Sequence, residues 1–140
     1  MEQPEIDSIV KAAVGAFGNP YCPYSKFPVS AALLTKSGEI FVGVNVENAS
    51  YGGTICAERS AIVSAVSNGH RDFKGIVVIT ELHAGGAPCG FCRQVLVEFG
   101  NMEVFFATPD GRVHVKTTSF DLLPHAFTPQ SLEEHREDKT

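Results

Sequence analysis

The sequence predicts an α/β fold, a five-stranded mixed sheet flanked by helices. Three observations predict it. Apolar residues recur at helical spacing in some stretches and as short β-branched runs in others. A strand–helix–strand unit, from about Ile76 to Ala107, calls for a parallel pair through a right-handed crossover. Hairpin turns elsewhere call for antiparallel pairs, and helices must then cover the sheet.

The elements follow in order. Residues 5–17 carry Ile6, Ile9, Val10, Ala13, Val14 and Phe17 at helical spacing, closed by Gly18-Asn19-Pro20. Val29 to Leu34 and Glu39 to Val44 read as a hairpin around Lys36-Ser37-Gly38. Asn45 to Thr54 is a loop of Asn, Gly and Ser. Cys56 to Ser67 is Ala-rich and helical, ended by Asn68-Gly69. Ile76 to Thr80 suits a buried strand, and Glu81 to Ala87 a Gly-containing loop. Pro88 or Cys89 opens a helix that runs to Phe99 and stops at Gly100. Val104 to Ala107 and Val113 to Lys116 are strands around Pro109-Asp110-Gly111. A last helix starts at Thr128-Pro129 and ends in a charged tail.

Bulk composition narrows the function. A chain of 140 residues, 44% hydrophobic and 19% charged, fits one globular domain over 1–140. A net charge of −5 with 11 Lys plus Arg argues against a nucleic-acid partner and for a small molecule. No apolar run approaches the ~20 residues of a membrane span. The first residues carry neither a basic nor an apolar secretion signal, so a cytoplasmic location is expected. The four cysteines, Cys22, Cys56, Cys89 and Cys92, are then reduced, and read as metal ligands or catalytic thiols before disulfides.

The chemistry lies in two segments, Cys56-Ala57-Glu58-Arg59 and Pro88-Cys89-Gly90-Phe91-Cys92-Arg93-Gln94. Each follows a loop and opens a helix. Cys89 and Cys92, three apart, share one face of a first helical turn. Cys56 adds a third sulfur. Three ligands leave the fourth tetrahedral position open, as a catalytic zinc site requires. Cys22, far from both helix starts, reads as an ordinary partly buried thiol. Glu58 alone would read as a solvated first-turn acid, favoured by the helix dipole. Beside a zinc ligand it reads as a proton carrier. Zinc with three thiolates carries −1, which opposes deprotonation of a bound water. Two positive helix ends offset that charge. So does Arg59, which can reach back to the Cys56 sulfur. Arg93 could do the same at Cys89 or lie on the surface. Gln94 either bridges to Arg59 or is a surface amide.

At these residues the chain resembles the small homotetrameric zinc-dependent cytidine deaminases, whose Cys-x-Glu and Pro-Cys-x-x-Cys pattern it carries. Further stretches share the likeness: Tyr24-Ser25-Lys26-Phe27-Pro28-Val29, Asn45-Val46-Glu47-Asn48-Ala49-Ser50-Tyr51, and Leu122-Leu123-Pro124 with Phe127. The resemblance spans roughly Ile6 to Leu132. It implies a three-layer α/β/α sandwich and one zinc per subunit on Cys56, Cys89 and Cys92. It implies hydrolysis of cytidine and deoxycytidine to uridine and deoxyuridine, with Glu58 moving protons among the attacking water, ring N3 and the departing amino group. Asn45 and Glu47 would bind the ribose hydroxyl, Phe27 would pack on the pyrimidine, and the Ala57 N–H would hold the base carbonyl oxygen. Ala49, Tyr51 and Phe127 would reach the site from neighbouring subunits of a homotetramer. Phe91 departs from the small or aliphatic residue usual at its place, Ser30 from glycine, and Cys22 from alanine.

Two rivals remain open. A structural zinc module would need a fourth ligand, from Cys22 or a histidine such as His83. A related deaminase would act on another cytosine-containing substrate. Nucleotides or polynucleotides call for basic residues near the ribose loop, yet Asn45 to Ile55 contains Glu47 and no Lys or Arg. Blasticidin-type enzymes lack the Asn-x-Glu-Asn-Ala loop.

Overall fold

A computed structural model describes residues 1–138; the last two residues of the expected domain lie outside the described ones. Helix α1 (Gln3–Ala16) starts with Pro4 in its first turn, and the Glu5 side chain accepts from the Glu2 N–H at 3.0 Å. Strands β1 (Ser30–Thr35) and β2 (Ile40–Val44) form the expected hairpin. A short 3₁₀ turn (Tyr51–Gly53) interrupts the loop that leads to α2 (Ala57–Ser67). Then come β3 (Phe73–Ile79), α3 (Gly90–Glu98), β4 (Glu103–Ala107) and β5 (Val113–Thr118). Helices α4 (Ser119–Leu122) and α5 (Pro129–Asp138) end the described chain.

Most elements fall within a residue or two of their expected bounds. Strand β3 begins earlier, at Phe73, because Phe73 and Gly75 still pair with neighbouring strands. Helix α4 was not expected. It has four residues, too few to show a period, and depends on a local cap: the Asp121 N–H donates to Thr118 Oγ1 at 3.2 Å.

The sheet order is β2-β1-β3-β4-β5. Only β3 and β4 run parallel, joined through α3 as the crossover rule requires; the other neighbours are antiparallel. Period-two alternation sends the central strands' side chains to two cores. Leu33, Ile76, Val104 and Phe106 pack with α2 and α3 on one face. Leu34, Val77, Ile79 and Phe105 pack with Ile6, Ile9 and Ala13 of α1 on the other. Both faces are covered, so these strands read as continuous apolar runs. The result is the three-layer α/β/α arrangement. Ile9 is fully buried, and Ile9→Ala there would cost about 2–5 kcal/mol. Among the described residues no helix is long and apolar enough to cross a membrane.

One contact sets where α2 can lie. A Cβ at Gly43 would stand 2.3 Å from the Ala61 nitrogen and 2.4 Å from the Ala57 carbonyl oxygen. Only glycine lets the first turns of α2 rest directly on β2, and those turns carry the reactive residues.

Candidate active site

Cys56 and Cys89 are the N-cap residues of α2 and α3, both with extended backbone. An N-cap side chain stands beside the free N–H groups of its helix start, so each sulfur meets the positive end of a helix dipole. Cys92, in the first turn of α3, is fully buried. The three sulfurs lie within 4.8 Å of one another, with Cys56 and Cys89 at 3.8 Å. Among the described residues no fourth ligand joins the group. Cys22 stays outside it, and His83 lines a separate surface hollow with Arg112 and His114.

Such crowding cannot hold three thiolates unaided. The Cys56 thiol is pulled down to about 5, first by a bond from the Cys92 thiol and then, against burial, by Arg59. Cys92 is pushed up by the same bond, by burial and by the charge of Glu58. Cys56 is thus the sulfur that ionises more readily, and Cys92 the one that resists. A divalent cation would relieve that conflict, and three soft thiolate donors suit zinc.

Glu58 follows at the second position of α2 and is 4% exposed. Burial pushes its carboxyl up, and the Cys56 charge adds to the effect. A carboxyl raised in this way is the kind of group that both takes and gives a proton in general acid–base catalysis. Arg59 reaches back as expected: Nη2 donates to Cys56 Sγ at 3.3 Å.

A cavity of about 320 Å³ opens beside the sulfurs, lined mostly by apolar atoms. Phe27, Asn45, Glu47, Ala57, Glu58 and Cys89 all border it. The Asn45 amide holds the segment that carries Phe27: its Oδ1 accepts from Val29 N at 2.9 Å and its Nδ2 donates to the Phe27 carbonyl at 2.9 Å. Glu47 accepts from the N–H groups of Tyr24 and Ser25 at 3.0 and 3.1 Å, and from the Ser25 hydroxyl. The Ser25 contacts hold its carboxyl below the usual range. Asn45 and Glu47 thus shape the cavity wall, and each keeps acceptor lone pairs for a ligand. Lys26 bends the chain just before Phe27 with a left-handed φ of 56°.

Other expected residues stand outside this cavity. Ala49 is exposed. Tyr51 is 75% exposed and packs edgewise on Tyr24, and Phe127 is 60% exposed. The expected bridge from Gln94 to Arg59 is not formed. Gln94 is exposed, as its alternative reading as a surface amide has it, and its Nε2 donates to the Phe127 carbonyl at 2.7 Å. Arg93 is half-buried and bonds to neither sulfur: Nε donates to Pro88 O at 2.8 Å and Nη1 to Leu122 O at 2.9 Å. Both partners are backbone carbonyls, which side-chain identity cannot forecast. Together these two side chains of α3 tie the 122–127 segment to the metal loop.

Sequence reasoning passed over three contributors. Ser25 lines the cavity and anchors Glu47. Gly43 admits α2. Gly86 sits so close to Thr80 that a Cβ would be 2.7 Å from its methyl, which fixes the loop before Cys89. A lone glycine inside an apolar strand was the available signal for Gly43.

The family model for the cytidine and deoxycytidylate deaminase zinc-binding region matches residues 4–108. A probable cytidine deaminase from Dictyostelium discoideum is 50% identical over 133 residues, covering 94% of this chain and 90% of that protein. A cytidine deaminase from Sporosarcina psychrophila is 42% identical over 130 residues, covering 91% of this chain and 95% of its own. The crystal structure of cytidine deaminase from Burkholderia pseudomallei superposes with a TM-score of 0.82 at 46% identity, covering 91% of this chain and all of that one.

Proposed function

The chain belongs to the cytidine and deoxycytidylate deaminase zinc-binding family, and we propose that it hydrolyses free cytidine and deoxycytidine to uridine and deoxyuridine. One observation carries the reading: three sulfurs converge, and two of them, Cys56 and Cys89, border the same cavity as the buried Glu58. Cys56, Cys89 and Cys92 hold one zinc per chain. Bound there, zinc supplies a Lewis acid and lowers the pKa of a water.

The chain's own residues do the rest. Glu58 takes a proton from the attacking water and delivers it to ring N3. It then moves a proton to the exocyclic amino group, so that ammonia leaves from C4. The Ala57 N–H, at the helix start, holds the base carbonyl oxygen. Phe27 covers the pyrimidine. Asn45 and Glu47 accept from the ribose hydroxyls through their remaining lone pairs. Arg59 steadies Cys56 and offsets the excess thiolate charge. Gln94 acts one step further out, as a support for Phe127; its hydrogen bond to the Phe127 carbonyl supports this.

The acting unit is the single domain 1–140. Four such chains assemble, with Ala49, Tyr51 and Phe127 completing a neighbour's cavity. Two aromatics exposed outside their own chain's site support this. Free thiols among all four cysteines and a net charge of −5 support a cytoplasmic salvage role on free nucleosides, without nucleic acid or membrane.

The test is a panel of cytidine, deoxycytidine, cytidine monophosphate, cytosine and blasticidin, followed by loss of cytosine absorbance on zinc-loaded protein. Only the two nucleosides should turn over well. Equal kcat/KM for the monophosphate, or preference for blasticidin, would put the substrate class elsewhere.

A further inference from the structure

Arg59 is gripped from two helices, and the second grip comes from a residue inside the Cys89–Cys92 pair. We propose that Phe91 is a positioning residue for the metal, whose ring holds Arg59 against the Cys56 sulfur and slows loss of zinc. The proposal rests on zinc being held by Cys56, Cys89 and Cys92.

Phe91 is the second residue of α3 and is 75% exposed, so no core packing accounts for it. The Arg59 Cζ lies over its ring, 5.7 Å from the centroid, within cation–π range. The guanidinium donates from Nη2 to Cys56 Sγ at 3.3 Å, while its Nε is buried and has no hydrogen-bond partner. A planar fork with one idle nitrogen is poorly fixed by polar contacts alone. The ring supplies the missing constraint and keeps water off one face. The Gln94 amide of α3 donates instead to the Phe127 carbonyl. Arg59 thus depends on Phe91, and through Arg59 the ring acts on the ligand sulfur. An aliphatic residue would cover the same surface without a π face to attract the cation.

The experiment follows zinc leaving the loaded protein for an excess of chromogenic chelator. Phe91→Leu should release zinc about two- to fivefold faster, the scale of an exposed cation–π contact. Phe91→Tyr keeps the ring and should match the parent. In an Arg59→Gln background, Phe91→Leu should add nothing, because the contact it breaks is already gone. Melting curves check that every variant is folded. A Phe91→Leu rate equal to the parent's would overturn the proposal, and so would the same acceleration with and without Arg59. If Arg59→Gln does not load, the Leu and Tyr variants decide alone. A parent without zinc would overturn the metal reading as well; a loaded parent with additive effects overturns this proposal only.

Discussion

At the starts of α2 and α3, the reactive groups are packed by their own chain: Ala57 and Cys92 are fully buried, and Glu58 nearly so. Outside the lining of the cavity beside the sulfurs, an outer set of aromatics, Tyr51, Phe91 and Phe127, stands in the open. The inner cradle is fixed by glycine contacts, helix ends and sulfur–guanidinium bonds. The rim depends on a few backbone hydrogen bonds from Arg93 and Gln94. The reactive groups are thus enclosed by their own chain, whereas these aromatics are left uncovered within it.

The sharpest way to break that contrast is at its centre. Glu58→Gln should lower kcat by at least ~10²–10⁴-fold with zinc content unchanged, since Glu58 carries protons and is not a ligand. Metal analysis beside the rate assay checks both halves. The same variant should reverse sign in stability. Burial holds the Glu58 carboxyl above its unfolded value of 4.5, so folding favours the neutral form. Wild-type stability from this group is full below that value and falls as pH rises toward the folded pKa. Metal-free Glu58→Gln should melt higher than metal-free wild type, with a gap that opens above about pH 4.5. A gap that is flat across pH would contradict a buried, raised carboxyl.

Gly43→Ala tests whether the cradle owes its place to β2. A methyl cannot fit at 2.3 Å from backbone nitrogen, so α2 must shift. We expect about 1–3 kcal/mol lost in denaturant unfolding and weaker zinc retention. An unaffected metal content would mean the cradle is set elsewhere.

Complementation tests the rim. Glu58→Ala and Phe127→Ala, each weak alone, should recover activity beyond their sum when refolded together. A flat result from proven mixed assemblies would show that Phe127 serves its own chain. Gln94→Ala carries the smallest effect. It frees the Phe127 carbonyl from a single hydrogen bond, and should raise KM a fewfold with kcat and zinc content held, on the scale of about 1 kcal/mol. A fall in kcat instead would return Gln94 to the metal.

How far the sequence reached follows the same divide. Cys56, Glu58, Cys89 and Cys92 were legible because local spacing at two helix starts determines where their side chains go. Arg59 was legible for the same reason, three residues from its sulfur. Gln94 and Arg93 were not, since their partners are main-chain oxygens about thirty residues away. Helix α4 escaped because four residues show no period. Asn45 and Glu47 were placed correctly at the cavity, but not their bonds to the 24–29 segment, which arise only when two distant loops meet. The parallel pairing of β3 with β4 was readable through one topological rule, the right-handed crossover, but the full strand order was not.

That crossover also bears on how the chain folds. Cys56 and the Cys89–Cys92 pair lie on opposite sides of β3 in the sequence, and their helices can meet only after β3 is in place. Closing so long a loop is entropically unfavourable and slow relative to local helix or hairpin formation. A metal arriving early would find at most two sulfurs together, the close pair on α3. Tight loading must then be a late event, reporting that the central strands have already taken their order. Stopped-flow refolding with a zinc indicator should show metal capture lagging behind secondary structure.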